Sequence, residues 1–223
     1  MHLYDSTIPS GNAYKATLLL SLLGIPHETT SLNILASPPE TRQPSFLKIN
    51  PNGRIPVLVL DDENGTTNAP TVLAESNAIL FYLAETQDRL LPRTALGRAQ
   101  VLQWMFFEQY SHEPYVAVYK YWTYWAPEQF EERGPKEVER VKEQGQVALD
   151  VMETHLRGEA GKHREWFVGD EMTIADIALY AYTQSAEMIG FQVGDHVKAW
   201  LARVKRQDGY VKIKSDPSGK CPL

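Results

Sequence analysis

Cysteine is almost absent from this chain: Cys221 is the only one among 223 residues. That excludes an intrachain disulfide and a cysteine-built zinc site, and it fits a reducing compartment. A long apolar run is also missing. The best candidate, residues 16–20 with Leu22 and Leu23, falls far short of the roughly 20 residues of a membrane helix. The opening Met1-His2-Leu3-Tyr4-Asp5 has neither a basic segment nor an apolar signal core, so a cytoplasmic location is expected. Basic charge is scarce: 22 Lys and Arg stand against 28 Asp and Glu, a net of -6. A surface that tracks a phosphate backbone needs the opposite balance, so neither nucleic acid nor an anionic membrane is expected as a partner.

The chain does have a globular composition, with 43% apolar and 22% charged residues, and enough length for two domains. Short β-type signals at 2–5, 27–32, 57–60 and 71–73 alternate with helical segments at 13–23, within 38–49 and at 75–84. A polar turn is expected at 61–65. This β-α-β-α-β-β-α order predicts a small α/β layer. After a linker at 87–93, strand signals vanish. Helices are expected over 95–125, kinked at Pro114, over 135–156 with Pro at its first turn, over 172–189 and over 195–206. The boundaries are therefore an α/β domain at 1–86, an all-α domain at 95–206 and a tail at 207–223.

Three junctions in the first domain combine residues able to meet a ligand. Ser10-Gly11-Asn12 precedes a helix, where a hydroxyl sits beside unpaired backbone N–H groups and can stabilise an anion. Ile55-Pro56 ends a loop and starts a strand. A proline there has no N–H, so the ladder begins after it and Ile55 keeps backbone groups for a ligand. Glu75-Ser76 opens another helix, whose dipole and free N–H groups favour a carboxylate. Each junction also has a plain structural reading, as a helix cap or strand punctuation. Their occurrence together within 76 residues is what points to a site.

The segments Ser10-Gly11-Asn12-Ala13-Tyr14-Lys15, Asn50-Pro51-Asn52-Gly53-Arg54-Ile55-Pro56 and Glu75-Ser76-Asn77-Ala78-Ile79 resemble the thioredoxin-like half of soluble glutathione S-transferases. Trp166-Phe167-Val168-Gly169-Asp170 and Thr173-Ile174-Ala175-Asp176 resemble the helical half, the latter as a capping box. The similarity is to the bacterial and fungal members that use Ser or Cys at the first helix. It implies a thioredoxin-like domain followed by an all-α domain, glutathione as co-substrate or cofactor, no metal, and a homodimer. By the same resemblance, Ser10 contacts the glutathione sulfur and Asn12 is a second donor. Ile55 pairs its backbone with the cysteinyl part, with Pro56 cis. Glu75 and Ser76 hold the γ-glutamyl end, Arg54 reaches the glycine carboxylate, and Gln103 is a cross-subunit contact. Pro9 departs from the family pattern, in which a basic residue often precedes this serine, and 62–70 is a longer connection than usual. Tyr4, Ser6 and Thr7 are rival partners for the sulfur.

The chemistry implied is thiol activation. A free thiol has a pKa of ~8.5 and only the thiolate attacks. Lowering that value to about 6.5 requires roughly 2.7 kcal/mol of preferential stabilisation. One hydroxyl donating to an anion contributes ~1.5–3 kcal/mol, so Ser10 acts as a donor and need not lose its own proton. With no cysteine near residue 10, exchange through a protein thiol is not expected. A hydrophobic second substrate is expected at Phe107, Tyr110, Ser111 and Tyr115, on one face of an aromatic-rich helix. That pocket suits an aromatic electrophile or a polyene. His112-Glu113 reads as a surface or interface pair, since neighbours on a helix diverge and no second ligand pair accompanies them. Transfer to an electrophile, cis–trans isomerisation of a conjugated alkene without glutathione consumption, and a non-catalytic scaffold on the same fold all remain open.

Overall fold

Leu3 and Asp5 are buried while His2 and Tyr4 are half-buried, the alternation of a strand with two unlike faces. In the computed structural model, which describes residues 1–61, 71–159 and 162–223, this is β1 (His2–Ser6). β1 pairs in parallel with β2 (Glu28–Leu32) and antiparallel with β3 (Val57–Leu60), and β3 pairs antiparallel with β4 (Thr71–Ala74). The sheet order is β2-β1-β3-β4, the mixed sheet of a thioredoxin-like domain. Most of the expected 61–65 turn and the long connection from Asp62 to Pro70 lie outside the described residues.

The chain forms two compact units, Met1–Asp88 with Gly209–Leu223, and Arg89–Asp208. In the first, α1 (Gly11–Leu23) runs from an N-cap at Ser10 to Gly24, whose φ of 69° is the left-handed cap conformation. Buried residues occur on every side of α1, Leu18, Leu19 and Leu20 among them. Burying each such leucine contributes ~1.5–3 kcal/mol. α3 (Ser76–Gln87) packs beside α1. The short α2 (Pro44–Leu47) brings Phe46 edge-on against Tyr4, with ring centroids 5.5 Å apart.

The last fifteen residues, expected as a tail, belong to this first unit. Ser21 donates to the Gly209 carbonyl at 2.7 Å and Tyr14 to the Val211 carbonyl at 2.6 Å. The Lys214 ammonium meets the Asp5 carboxylate and donates to the Ser6 carbonyl at 2.6 Å. Ile213 and Cys221 are buried. Alternating lysines make this stretch read as solvated, but its apolar residues between them have a surface to cover. Tyr14→Phe should therefore cost about 1 kcal/mol and speed amide exchange selectively in 209–223. Unchanged exchange there would show that this bond does not hold the strap.

The second unit is helical: α4 (Ala95–Phe107), α5 (Glu113–Tyr124), α6 (Glu128–Arg133), α7 (Pro135–Arg157), α8 (Ile174–Thr183) and α9 (Asp195–Val204). α6 has no counterpart among the expected elements. The expected 172–189 helix is shorter: α8 ends at Thr183, and a 3-10 turn comes after it at Glu187–Ile189. All ten residues of α8 are buried, and its start is the expected capping box. Asp176 accepts from the Thr173 N–H at 2.8 Å and hydroxyl at 3.1 Å, while Thr173 Oγ1 accepts from the Ala175 N–H at 3.3 Å. The other Asp176 oxygen accepts from the Phe167 N–H at 3.1 Å and the Trp200 indole at 2.9 Å. One carboxylate thus ties the Trp166–Asp170 segment, α8 and α9 together.

Between α4 and α5 lies a π turn, Glu108–His112, in which the Glu113 N–H bonds back five residues to the Glu108 carbonyl. Pro114 sits in the first turn of α5, directly after the π turn, at the place where a kink is expected. The extra residue of an i→i+5 turn rotates the side chains of the next helix by about 100°. The single face expected for residues 107 to 118 is consequently broken at the turn. His112, expected in a surface or interface pair, is fully buried within the second unit. Its Nε2 lies 3.0 Å from Thr183 Oγ1, whose own proton goes to the Leu179 carbonyl at 2.7 Å. His112 Nε2 is therefore the donor. No helix among the described residues is long and apolar enough to cross a membrane.

Candidate active site

The sheet register brings the three junctions to one edge. In β3 and β4, Val57 stands opposite Ala74, so Pro56 and Glu75 are the next residues out on neighbouring strands. In β1 and β3, Tyr4 stands opposite Val57. Because that pair is antiparallel, β1 also finishes at this edge and feeds the loop from Thr7 to Ser10. Strand pairing thus sets Pro56 beside Glu75 at the end where β1 finishes, and Asn12, two residues past Ser10, bonds to Ser76.

The loop before Pro56 is fixed by its own side chains. Asn50 accepts from the Asn52 N–H at 3.1 Å and donates to the Arg54 carbonyl at 2.8 Å. Gly53 has φ +61°, and a Cβ there would stand 2.7 Å from Arg42 Nη1 and 2.9 Å from the Thr41 carbonyl, so only glycine fits. The Ile55-Pro56 bond is cis. Ile55 is half-buried, Pro56 buried and Arg54 exposed.

Glu75 has φ 69° and ψ 115°, a conformation that costs a non-glycine residue ~1–3 kcal/mol and that clusters at functional sites. Its side chain is exposed, while Ser76, the first residue of α3, is buried. Ser10 is half-buried with φ -76° and ψ 122°, and its Oγ accepts from the Ala13 N–H at 3.5 Å. As an acceptor in that long cap bond, the hydroxyl keeps its proton for another partner.

Asn12 Oδ1 links the first turns of α1 and α3, accepting from Ser76 Oγ at 3.2 Å and from Lys15 Nζ at 2.9 Å. Lys15 Nζ also lies 3.4 Å from Ser76 Oγ. Lys15 is fully buried, and no role is legible for it from the motif alone. A signal does exist in the sequence: a lysine among Ala13, Tyr14, Ala16 and Leu18, in a helix apolar all round, has no solvent to face and must find polar partners.

The rival residues lie on β1 and in the loop after it. Tyr4 packs on Phe46 and, at 4.9 Å between centroids, on His2. Ser6 is fully buried and its Oγ accepts from the Ile8 N–H at 3.1 Å. Thr7 donates its N–H to the Leu32 carbonyl at 3.0 Å. Beside Ser10, α1 and the returning strap enclose a groove of about 610 Å³ whose lining includes Tyr14, Leu20, Ile25, Val211 and Ile213.

The remaining expected residues belong to the second unit. Gln103 is exposed on α4, Phe107 is half-buried at its end, Tyr110 and Ser111 lie in the π turn, and Tyr115 is half-buried in the first turn of α5. Tyr110 is 83% exposed. Among the described residues, no three His, Cys, Asp or Glu side chains form a group that could hold a metal ion.

Residues 9–86 match the model of the glutathione S-transferase N-terminal domain, and 100–208 that of the C-terminal domain. The chain is similar to a crystal structure of glutathione S-transferase from Xanthobacter autotrophicus, with 40% identity and a TM-score of 0.81, over 95% of this chain and 96% of that one. A glutathione transferase family member from Pseudomonas fluorescens, solved with two glutathione bound, is 28% identical with a TM-score of 0.78, over 93% of this chain and 89% of that one. Among curated proteins, the disulfide-bond oxidoreductase YfcG of Escherichia coli is 29% identical over 149 residues, spanning 66% of this chain and 65% of its own length. With both domain models matched in order over most of its length, the chain belongs to the glutathione S-transferase family.

Proposed function

We propose that this protein binds glutathione at the sheet edge of its first unit and activates it as a thiolate for attack on a hydrophobic, conjugated or aromatic electrophile. The observation that carries the reading is the register of β1, β3 and β4, which sets the Ser10 loop, Ile55-Pro56 and Glu75-Ser76 side by side. Ser10 donates its hydroxyl proton to the sulfur, assisted by the N-terminus of α1. Asn12 is the second donor. The Ile55 backbone pairs with the cysteinyl residue, and the Arg54 guanidinium takes the glycine carboxylate. Glu75 takes the γ-glutamyl ammonium. Because the Ser76 hydroxyl proton is directed to Asn12, the donor Ser76 offers the γ-glutamyl carboxylate is its backbone N–H at the start of α3. Contacts with the electrophile are assigned to Phe107, Tyr110, Ser111 and Tyr115, and Gln103 to the γ-glutamyl end in a cytoplasmic homodimer.

A second reading is glutathione-dependent disulfide reduction, favoured by the likeness to a disulfide-bond oxidoreductase and to a family member holding two glutathione. It needs no protein cysteine. The bound thiolate displaces one sulfur of the disulfide, and a second glutathione thiolate resolves the mixed disulfide, yielding glutathione disulfide and two thiols. Mass spectrometry of products separates the possibilities. With an activated aryl halide, transfer gives a product carrying one glutathione. With a conjugated cis-alkene, isomerisation leaves the mass unchanged. With a small disulfide, reduction consumes two glutathione per turnover. Failure of all three reactions, in a protein that still binds glutathione, would sink the catalytic reading and leave the scaffold.

A further inference from the structure

We infer that Lys214 is a positioning residue: from the returning strap it clasps the end of β1 and so fixes the loop that carries Ser10 to the glutathione sulfur. This inference rests on the proposed thiolate site. The Lys214 ammonium has three protons and can only donate, and three acceptors surround it. It meets the Asp5 carboxylate, donates to the Ser6 carbonyl at 2.6 Å and lies 3.3 Å from Ser31 Oγ. Asp5 and Ser6 are the last two residues of β1, and Ser31 stands opposite Asp5 on β2. The clasp therefore closes on both strands at the point where β1 leaves the sheet.

From this point hydrogen bonds lead to Ser10. Asp5 Oδ1 accepts from the Ser6 N–H at 2.6 Å, Ser6 Oγ from the Ile8 N–H at 3.1 Å, and the Ile8 carbonyl from the Ser10 N–H at 2.7 Å. Thr7 gives its N–H to the Leu32 carbonyl, and Pro9 has none to give. The backbone of Ser10 is thus tethered through Ile8 to Ser6, the residue that Lys214 holds. Asp5, Ser10 and Lys214 also line the same groove, so the clasp and the hydroxyl are neighbours. Asp5 and Ser6 are buried, and a buried carboxylate stripped of its counter-charge disturbs its surroundings strongly. A hydrogen bond to the sulfur weakens steeply as its geometry departs from linear, so a small displacement of Ser10 makes the bound thiol less acidic.

The test is the thiol pKa of bound glutathione, read from ultraviolet thiolate absorbance against pH, for wild type, Lys214→Met and Asp5→Asn. Both variants open the clasp, but they leave lone charges of opposite sign, Asp5 in the first and Lys214 in the second. Acting through their fields alone, these charges shift the thiol pKa up in Lys214→Met and down in Asp5→Asn. Loss of positioning raises it in both, by about one unit. Asp5→Asn carries the test by itself if Lys214→Met does not fold, since a rise there runs against the field of the lone ammonium. Shifts of opposite sign, a shift in only one of two folded variants, or a lowered melting temperature with the thiol pKa in place each overturn the role of Lys214 alone. A wild type that binds glutathione without depressing its thiol pKa overturns the underlying thiolate site and this assignment with it.

Discussion

Ser10→Ala should raise the pKa of bound glutathione by about one to two units, the equivalent of one charge-assisted hydrogen bond of ~1.5–3 kcal/mol. The rate consequence depends on pH. With a bound thiol pKa near 6.5 in wild type and 8.5 in the variant, about three quarters of the bound thiol is ionised at pH 7 in the first case and about 3% in the second. The more basic thiolate is intrinsically more nucleophilic, with a Brønsted slope of about 0.4–0.5, so part of that roughly 25-fold difference is recovered. The deficit should be about tenfold at pH ~6, vanish near pH ~7.6 and reverse several-fold above pH ~9, where both thiols are ionised and the variant's is the more nucleophilic. A pH–rate profile of both proteins against one electrophile checks this. An equal loss at every pH would mean that Ser10 positions glutathione and leaves its acidity alone. No loss at any pH would return the sulfur contact to Tyr4, Ser6 or Thr7.

Asp176→Ala should destabilise the second unit by about 4 kcal/mol. Its carboxylate accepts from four donors on three segments. Losing an N-cap partner costs ~1 kcal/mol, and each buried donor left unmatched costs ~1–3 kcal/mol. All five tryptophans (104, 122, 125, 166 and 200) lie in Arg89–Asp208, so urea unfolding monitored by tryptophan fluorescence reads this unit selectively. The carboxyl group also carries a pH signature. Burial pushes its pKa up from 3.8 to about 6, outweighing the hydrogen bonds from Thr173, Phe167 and Trp200 that lower it. The folded state therefore keeps the proton to higher pH than the unfolded state. The resulting stabilisation is fully present below pH ~4 and is lost as pH rises through about 6, a change of roughly 3 kcal/mol. Asp176→Asn has no such ionisation, so wild type should lose stability relative to it across that window. A difference independent of pH between 4 and 7 would contradict the raised pKa.

The parts of this fold legible in the sequence are those whose signals are local. Val57–Leu60 is bounded as expected because Pro56 stops the ladder on one side and polar residues come after it on the other. The Thr173–Asp176 capping box is a four-residue pattern that needs no tertiary information. The Ser10, Ile55-Pro56 and Glu75-Ser76 junctions are similarly written in caps and turns, although only strand pairing makes them neighbours. The features hidden from the sequence depend on distant surroundings. The π turn at Glu108–His112 shifts helical phase; Pro114 signals a break there but not its form, so a straight helical projection misplaces His112. The 209–223 strap reads as polar until Tyr14, Ser21 and Asp5 are seen to receive it. Lys15 is easily passed over because a charged residue on a helix is ordinarily exposed.

Titrating the ultraviolet absorbance of glutathione bound to the wild-type protein is the most direct test of the central claim. The account predicts a thiol pKa near 6.5, about two units below the free value, and therefore a clear thiolate signal at neutral pH. A bound thiol that ionises at ~8.5, or no glutathione binding at all, would contradict it. The sheet edge would then be a family fold without the family's chemistry.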